Sequence, residues 1–253
     1  QKPFAVGFRI EHRQSEINKT QYGENFNNPK LDAAEYKLTH QTKDGKGIYT
    51  FCMCPGGLVV PSASEEGMVV VNGMSEYERD KINANSALLV TVNETDFGSS
   101  HPLAGIEFQR NIEKSAFVLG GSNYNAPIQR LIDFMDNKKT TQLGNVLPSY
   151  SIGVEYANLR TIYSEEINKA FIEAIPKLGQ KLKGFDSKDA LFTGVESRSS
   201  SPVRISREKD TMQSTNFRHL YPTGEGAGYA GGIVSAAIDG IKVAKIILEN
   251  ISK

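Results

Sequence analysis

Cysteine is scarce: only Cys52 and Cys54 occur in 253 residues. Their spacing is too tight for an ordinary structural disulfide. Two thiols are also too few for a zinc site, which usually takes four ligands, so no metal is expected. The count fits a reducing cytosol best. An excess charge of either sign is lacking too, with 29 Lys plus Arg against 29 Asp plus Glu. A neutral chain has no global field to draw it to nucleic acid or to an anionic membrane, and neither is expected as a partner. No apolar run approaches the ~20 residues needed to span a bilayer. The opening Gln1-Lys2-Pro3-Phe4 has no cationic head followed by an apolar block, so it does not read as a signal peptide. Internal repeats and low-complexity tracts are absent. What remains is ordinary for a globular protein, 39% hydrophobic and 23% charged. The length suits one large domain or two modest ones, with a core that needs no staples.

The first half reads as strand. Phe4–Ile10 alternates loosely, and Ser15–Pro29 is a polar loop with a short helix at its start. Tyr36–Thr42 and Ile48–Cys54 flank Asp44-Gly45-Lys46-Gly47, a hairpin signal. Leu58–Val60, Met68–Val71 and Ala87–Val92 add further β-rich runs, which together predict a largely antiparallel sheet. The middle turns helical. Pro102–Leu119 carries a helical apolar stripe and is stopped by Gly120-Gly121. Pro127–Met135 repeats the pattern in shorter form. Ser164–Leu182 opens with an N-cap and first-turn acids, and Pro176 is expected to kink or end it. The last predicted helix, Tyr229–Ile251, is apolar on most faces at its start, the mark of a buried helix. The expected class is α+β.

The most informative stretch is Thr223–Gly232, with five glycines between Gly224 and Gly232. Glycine costs roughly 1 kcal/mol against alanine in a helix interior, so helix propensity cannot explain them. They permit positive φ and close approach of backbone to another group. A helix follows, and its first N–H groups lack intrahelical partners and carry partial positive charge. Such a terminus suits an anion or an electron-rich carbonyl. The bland alternative is a tight turn with close helix packing and no ligand. The spacing of Gly224, Gly226 and Gly228 does not fit the usual dinucleotide fingerprint.

The run Pro222–Gly240 resembles the C-terminal flavin motif of the uncharacterised bacterial FAD-dependent, NAD(FAD)-utilising dehydrogenases. Other stretches resemble the same family: Gly7–His12, Phe51–Gly57, Val71–Ser75, Asn85–Val90 and Glu196–Ile205. The resemblance implies FAD as cofactor, with NAD(P)H as a candidate co-substrate. It implies that Gly224 and Tyr229 frame a flavin contact and that Gly226, Ala227 and Gly228 lie along the ring system. Glu225 would stand against the ribityl hydroxyls. The helix N-terminus near Tyr229 would face the pyrimidine edge, where its dipole favours the reduced ring. The family holds the adenine end with an N-terminal strand–Gly-x-Gly-x-x-Gly–helix unit, and this sequence contains no such unit. The expectation is therefore a truncated piece of a longer oxidoreductase. Residues 1–215 would form the substrate-side domain. Residues 216–253 would be the returning strand, turn and helix of an FAD-binding domain whose Rossmann unit is missing. Such a piece alone is expected to be inactive and to hold FAD weakly or not at all. Its partners would be a small-molecule substrate and the N-terminal part of its own chain.

Four side chains are candidates for chemistry. Cys52 and Cys54, on a strand, would share a face and serve as a redox pair or proton donor beside a flavin; equally, small thiols simply pack well. Arg204, between Val203 and Ile205, suits a carboxylate or the flavin's carbonyl edge. Arg198 reads equally as a surface ion pair. His12 is a candidate general acid, weighed against a hydrogen-bonded structural histidine. Two functions remain open: an FAD-dependent enzyme transferring hydride to or from a small molecule, and a non-enzymatic ligand- or protein-binding module derived from a flavoprotein. A thiol oxidoreductase using the two cysteines is a third.

Overall fold

The structure, a computed structural model, describes residues 1–251. In chain order the elements are β1 (Phe4–Arg13), α1 (Gln14–Tyr22), β2 (Thr39–Gln41), β3 (Gly47–Cys54), β4 (Gly57–Pro61), β5 (Val71–Ser75), β6 (Asn83–Val92), α2 (Glu94–Phe97), α3 (Ala104–Leu119), β7 (Ala126–Arg130), α4 (Leu131–Met135), β8 (Val154–Tyr156), α5 (Glu165–Lys181), β9 (Leu191–Glu196) and α6 (Ile233–Ile251). Seven strands form one sheet in the order β2-β3-β6-β1-β9-β7-β8, and β4 pairs with β5 as a separate ribbon. The pairs β2·β3, β3·β6, β1·β9 and β7·β9 are antiparallel, whereas β7·β8 is parallel. The class is α+β with a mixed sheet.

The chain divides into two compact parts, one of residues 6–91 and 110–197, the other of residues 1–5, 92–109 and 198 onward. The first holds the sheet. Its β1 is buried on both faces, which explains why Val6, Phe8 and Ile10 alternate with Gly7 and Arg9 without a solvent-facing set. Phe8 packs against Phe134, Tyr163, Phe171 and Phe192, with ring centroids 5.2–5.8 Å away. In α5, Ile167, Ala170, Phe171, Ala174, Ile175 and Leu178 form the buried stripe, and Ser164 caps the first turn by accepting from the Ile167 N–H. The second part gathers Phe4, Phe97 and Phe108 into an aromatic cluster with centroids 5.3–6.3 Å apart. Gly105 fits there because an added Cβ would stand 2.9 Å from the Pro202 side chain.

Several local expectations change. Residues 127–135 are not one helix: β7 runs to Arg130 and only α4 follows. Pro176 does not end α5, which runs on to Lys181 with the proline on its exposed flank. Helix α6 begins at Ile233, not near Tyr229, and residues 224–232 remain turn and bend. It is also far from buried: Ile233 is 90% exposed, Val234 70% and Ile241 57%.

Candidate functional site

The glycine-rich turn separates its glycines by role. Gly224 and Gly228 have φ of +74° and +85°, where a side chain is strained. Gly228 is also demanded by packing, since a Cβ would stand 2.3 Å from the Val203 carbonyl oxygen. The turn closes with Gly228 N–H donating to the Glu225 carbonyl at 2.8 Å and Tyr229 N–H to that of Gly224 at 3.0 Å. Gly226, Gly231 and Gly232 differ. None has a left-handed φ, and nothing lies within 4 Å of where a Cβ would be. Neither backbone strain nor packing among the described residues calls for glycine there, although glycine costs roughly 0.4–1 kcal/mol through unfolded-chain entropy. Ala227, between them, is buried.

Two arginines and an aspartate lock the turn. Arg207 forms a two-pronged contact with Asp239 on α6, at 2.9 and 2.7 Å, and donates to the Pro222 carbonyl at 2.7 Å. Asp239 also accepts the Gly224 N–H at 2.9 Å. Hydrogen bonds from Arg207 hold this carboxyl below the usual carboxylate range, against the opposing effect of burial. The Arg207 guanidinium lies 3.6 Å from the centre of the Tyr229 ring, and that of Arg204 lies 5.1 Å from it. Arg204 Nε donates to the Gly228 carbonyl at 3.0 Å, and Tyr229 Oη to the Ile205 carbonyl at 2.8 Å. Glu225, half-buried, makes no side-chain hydrogen bond or ion pair among the described residues. Its charge acts on Lys2, whose pKa is pushed down first by burial and next by Arg204, with Glu225 opposing both. The structure thus brings Arg204 together with Gly228 and Tyr229, two of the six predicted cofactor-contacting residues.

Cys52, Cys54 and His12 lie in the sheet part. The two thiols do not share a face. The β3·β6 register shifts between Phe51 and Cys54, and Cys52 takes φ +43°. The bulge turns Cys52 to solvent and leaves Cys54 buried. Burial pushes the Cys54 thiol up, with Arg9 pulling the other way, so Cys54 is a thiol near neutral pH. His12 is enclosed against the rings of Phe185 and Tyr36. Its Nε2 donates to the Phe185 carbonyl at 2.7 Å, and Nδ1 has no partner among the described residues. Burial lowers its pKa to about 4, so the ring is neutral near pH 7.

Sequence reasoning missed the residues that organise both parts. Arg9, fully buried, donates to Glu196 at 2.5 and 3.2 Å, to the Cys52 carbonyl at 2.7 Å, to Asn72 at 2.7 Å and to Asn85 at 3.2 Å. It therefore ties β1 to β9, β3, β5 and β6. Gly73 makes room for it, since a Cβ would stand 2.5 Å from its guanidinium. Burial pushes the Glu196 carboxyl up and Arg9 opposes this; the permanent guanidinium charge keeps the carboxylate as its counter-ion. The available signal was an arginine set between the apolar Phe8 and Ile10. The signal for Asp239 was a single acid inside an apolar helix run.

Residues 3–199 match the family described as FAD-dependent protein, C-terminal domain-like. The chain belongs to this family. It is also 54% identical over 249 residues to an uncharacterised protein of Clostridium beijerinckii, an alignment covering 98% of this chain and 46% of that relative. The chain thus spans about half the length of the curated relative it matches. The match makes the domain flavoprotein-derived, with FAD the cofactor of the parent family. The glycine-rich turn lies beyond residue 199, so its assignment rests on its own geometry. Among the described residues no helix is long and apolar enough to cross a membrane.

Proposed function

We propose that this chain is the substrate-side and C-terminal portion of an FAD-dependent oxidoreductase, and that the Gly224–Gly232 turn is its half of the flavin site. The observation that carries this reading is the open backbone at Gly226, Gly231 and Gly232, where glycine answers neither strain nor packing within the described residues. A flat ring laid on bare backbone gives those positions a reason. The residues present fit such a group. Glu225 has an unengaged carboxylate for ribityl hydroxyls. The first N–H groups of α6, from Ile233, supply donors and partial positive charge for a carbonyl edge. Arg204 and Arg207, fixed on Tyr229, hold the turn in place; Arg207 is paired with Asp239, so Arg204 supplies the positive charge beside it. The parent would transfer hydride between FAD and a small molecule, with NAD(P)H as candidate electron donor; FAD, when bound, supplies the two-electron chemistry. This chain's residues would hold the ring, and the α6 N-terminus would stabilise negative charge on the part of it that it faces.

The N-terminal part of the same protein is the proposed partner of α6. Its exposed Ile233, Val234 and Ile241 form an apolar face that water disfavours, and the relative has more than half its length outside the match. The test uses the longer protein. It should purify with about one flavin per chain, and NADH or NADPH should bleach the visible flavin band. A protein that folds but carries no flavin contradicts the proposal, and one that carries flavin reducible by neither nucleotide removes the NAD(P)H part. The chain of residues 1–253 alone should be colourless.

A further inference from the structure

A cavity of about 440 Å³ opens in the sheet part, within the size range of small-molecule sites. Leu58, Ile82, Leu147 and Pro148 give it apolar walls, and Ile82 and Leu147 are 74% and 60% exposed. Its polar lining, Asn83 and Ser149, is already engaged from behind. Asn83 Nδ2 donates to Glu11 at 2.8 Å and to the Leu147 carbonyl at 2.7 Å. Ser149 Oγ donates to Glu11 at 2.5 Å and accepts from the Val59 N–H at 2.8 Å. Glu11 is fully buried, and burial pushes its carboxyl up against the hydrogen bonds from Ser149, Asn83 and Thr193. This wall is therefore preorganised.

The two cations at the cavity differ in their partners. Lys81 is taken up by Glu76 at 2.8 Å and Asp80 at 3.1 Å. Arg13 is not. Its Nε donates to the Asn145 carbonyl at 2.9 Å, which pins the guanidinium at the cavity. Its two terminal amino groups donate to no described residue, leaving a planar cation without a carboxylate partner beside apolar walls. A guanidinium presents parallel N–H donors matched to a carboxylate. With Lys81 held by Glu76 and Asp80, Arg13 is the lining cation left without an acid among the described residues, which matches a single carboxylate. From this combination we infer that the cavity binds a small organic monocarboxylate, its hydrocarbon body against Leu58, Ile82, Leu147 and Pro148 and its carboxylate on Arg13. The site lies wholly within residues 13–149 and does not depend on the flavin reading.

The experiment is an amide NMR titration of the 253-residue chain with 4-phenylbutanoate, repeated with the neutral 4-phenylbutanamide. Saturable shifts are expected at Leu58, Asn83 and Ser149. Affinity should fall about tenfold for the amide and for Arg13→Gln, the ratio expected when one charge-assisted hydrogen-bonded contact is lost. Leu147→Asp should weaken binding at least as much. Both substituted side chains are exposed, so both variants should keep the wild-type spectrum elsewhere. No saturation up to about 10 mM, shifts confined to α6, or equal affinity of acid and amide would each overturn the inference. So would binding by this chain that vanishes in the longer protein while the cavity amides become protected from exchange, because the cavity would then be filled by the rest of the chain.

Discussion

Arg9, Arg207 and Asp239 show how single charged side chains set the geometry on which chemistry would depend. Each is removed from water and satisfied by several partners, and each would leave a buried counter-charge if deleted. His12 represents the opposite case, a titratable ring kept neutral by burial. Its pKa falls from 6.5 to about 4 on folding, so the folded state excludes the proton. The associated stability is fully present above about pH 6.5 and is lost as pH falls toward 4. Urea unfolding at pH 7 and pH 4.5 should show the wild type losing about 2–3 kcal/mol more than His12→Gln over this interval. Equal losses would mean that the ring is solvated. At this scale the sequence was legible where a residue type is locally unusual, as in the clustered glycines. It was not legible where function follows from a partner distant in the chain. Cys52 and Cys54 seemed paired by strand alternation, but a bulge separates them. Arg207 gave no sign of Asp239, 32 residues away.

Among the elements, α5 and the β2–β3 hairpin were the easiest to read. Their signals are local: a capping serine with a helical stripe, and a turn in which Gly45 takes φ +83°. Strands β7 and β9 were missed because they are almost wholly buried and show no polar alternation to betray period two. Helix α6 was misread in an informative way. Its apolar faces predicted burial, yet the described residues leave much of them in water. Ile241→Lys should therefore leave the stability of this chain within about 0.5 kcal/mol of wild type while lowering the fluorescence of an apolar dye bound to it. In the longer protein the same change should destabilise, because it would place a charge in the proposed contact. Equal thermal shifts in both proteins would argue against α6 as the surface that receives the N-terminal part.

At the scale of the whole molecule, the strands and helices make an α+β fold, the family match makes the domain flavoprotein-derived, and the chain accounts for about half of its relative. The sequence resemblance reached an FAD-dependent family, as the match over residues 3–199 shows, because its motifs are spread along the chain; the dehydrogenase assignment belongs to the proposal. It did not reach the geometry of the glycine-rich turn proposed to meet the flavin, which needs the positions of Arg204, Arg207 and Asp239 around it. The open glycines hold the central claim, and Gly226 isolates it: its φ is ordinary and its Cβ position is empty. Flavin content should therefore be measured in the longer protein carrying Gly226→Leu, alongside its melting temperature in the cofactor-free form. The account predicts an unchanged apo-protein melt and loss of most of the bound flavin. A variant that melts like the wild type and retains full flavin stoichiometry would contradict it.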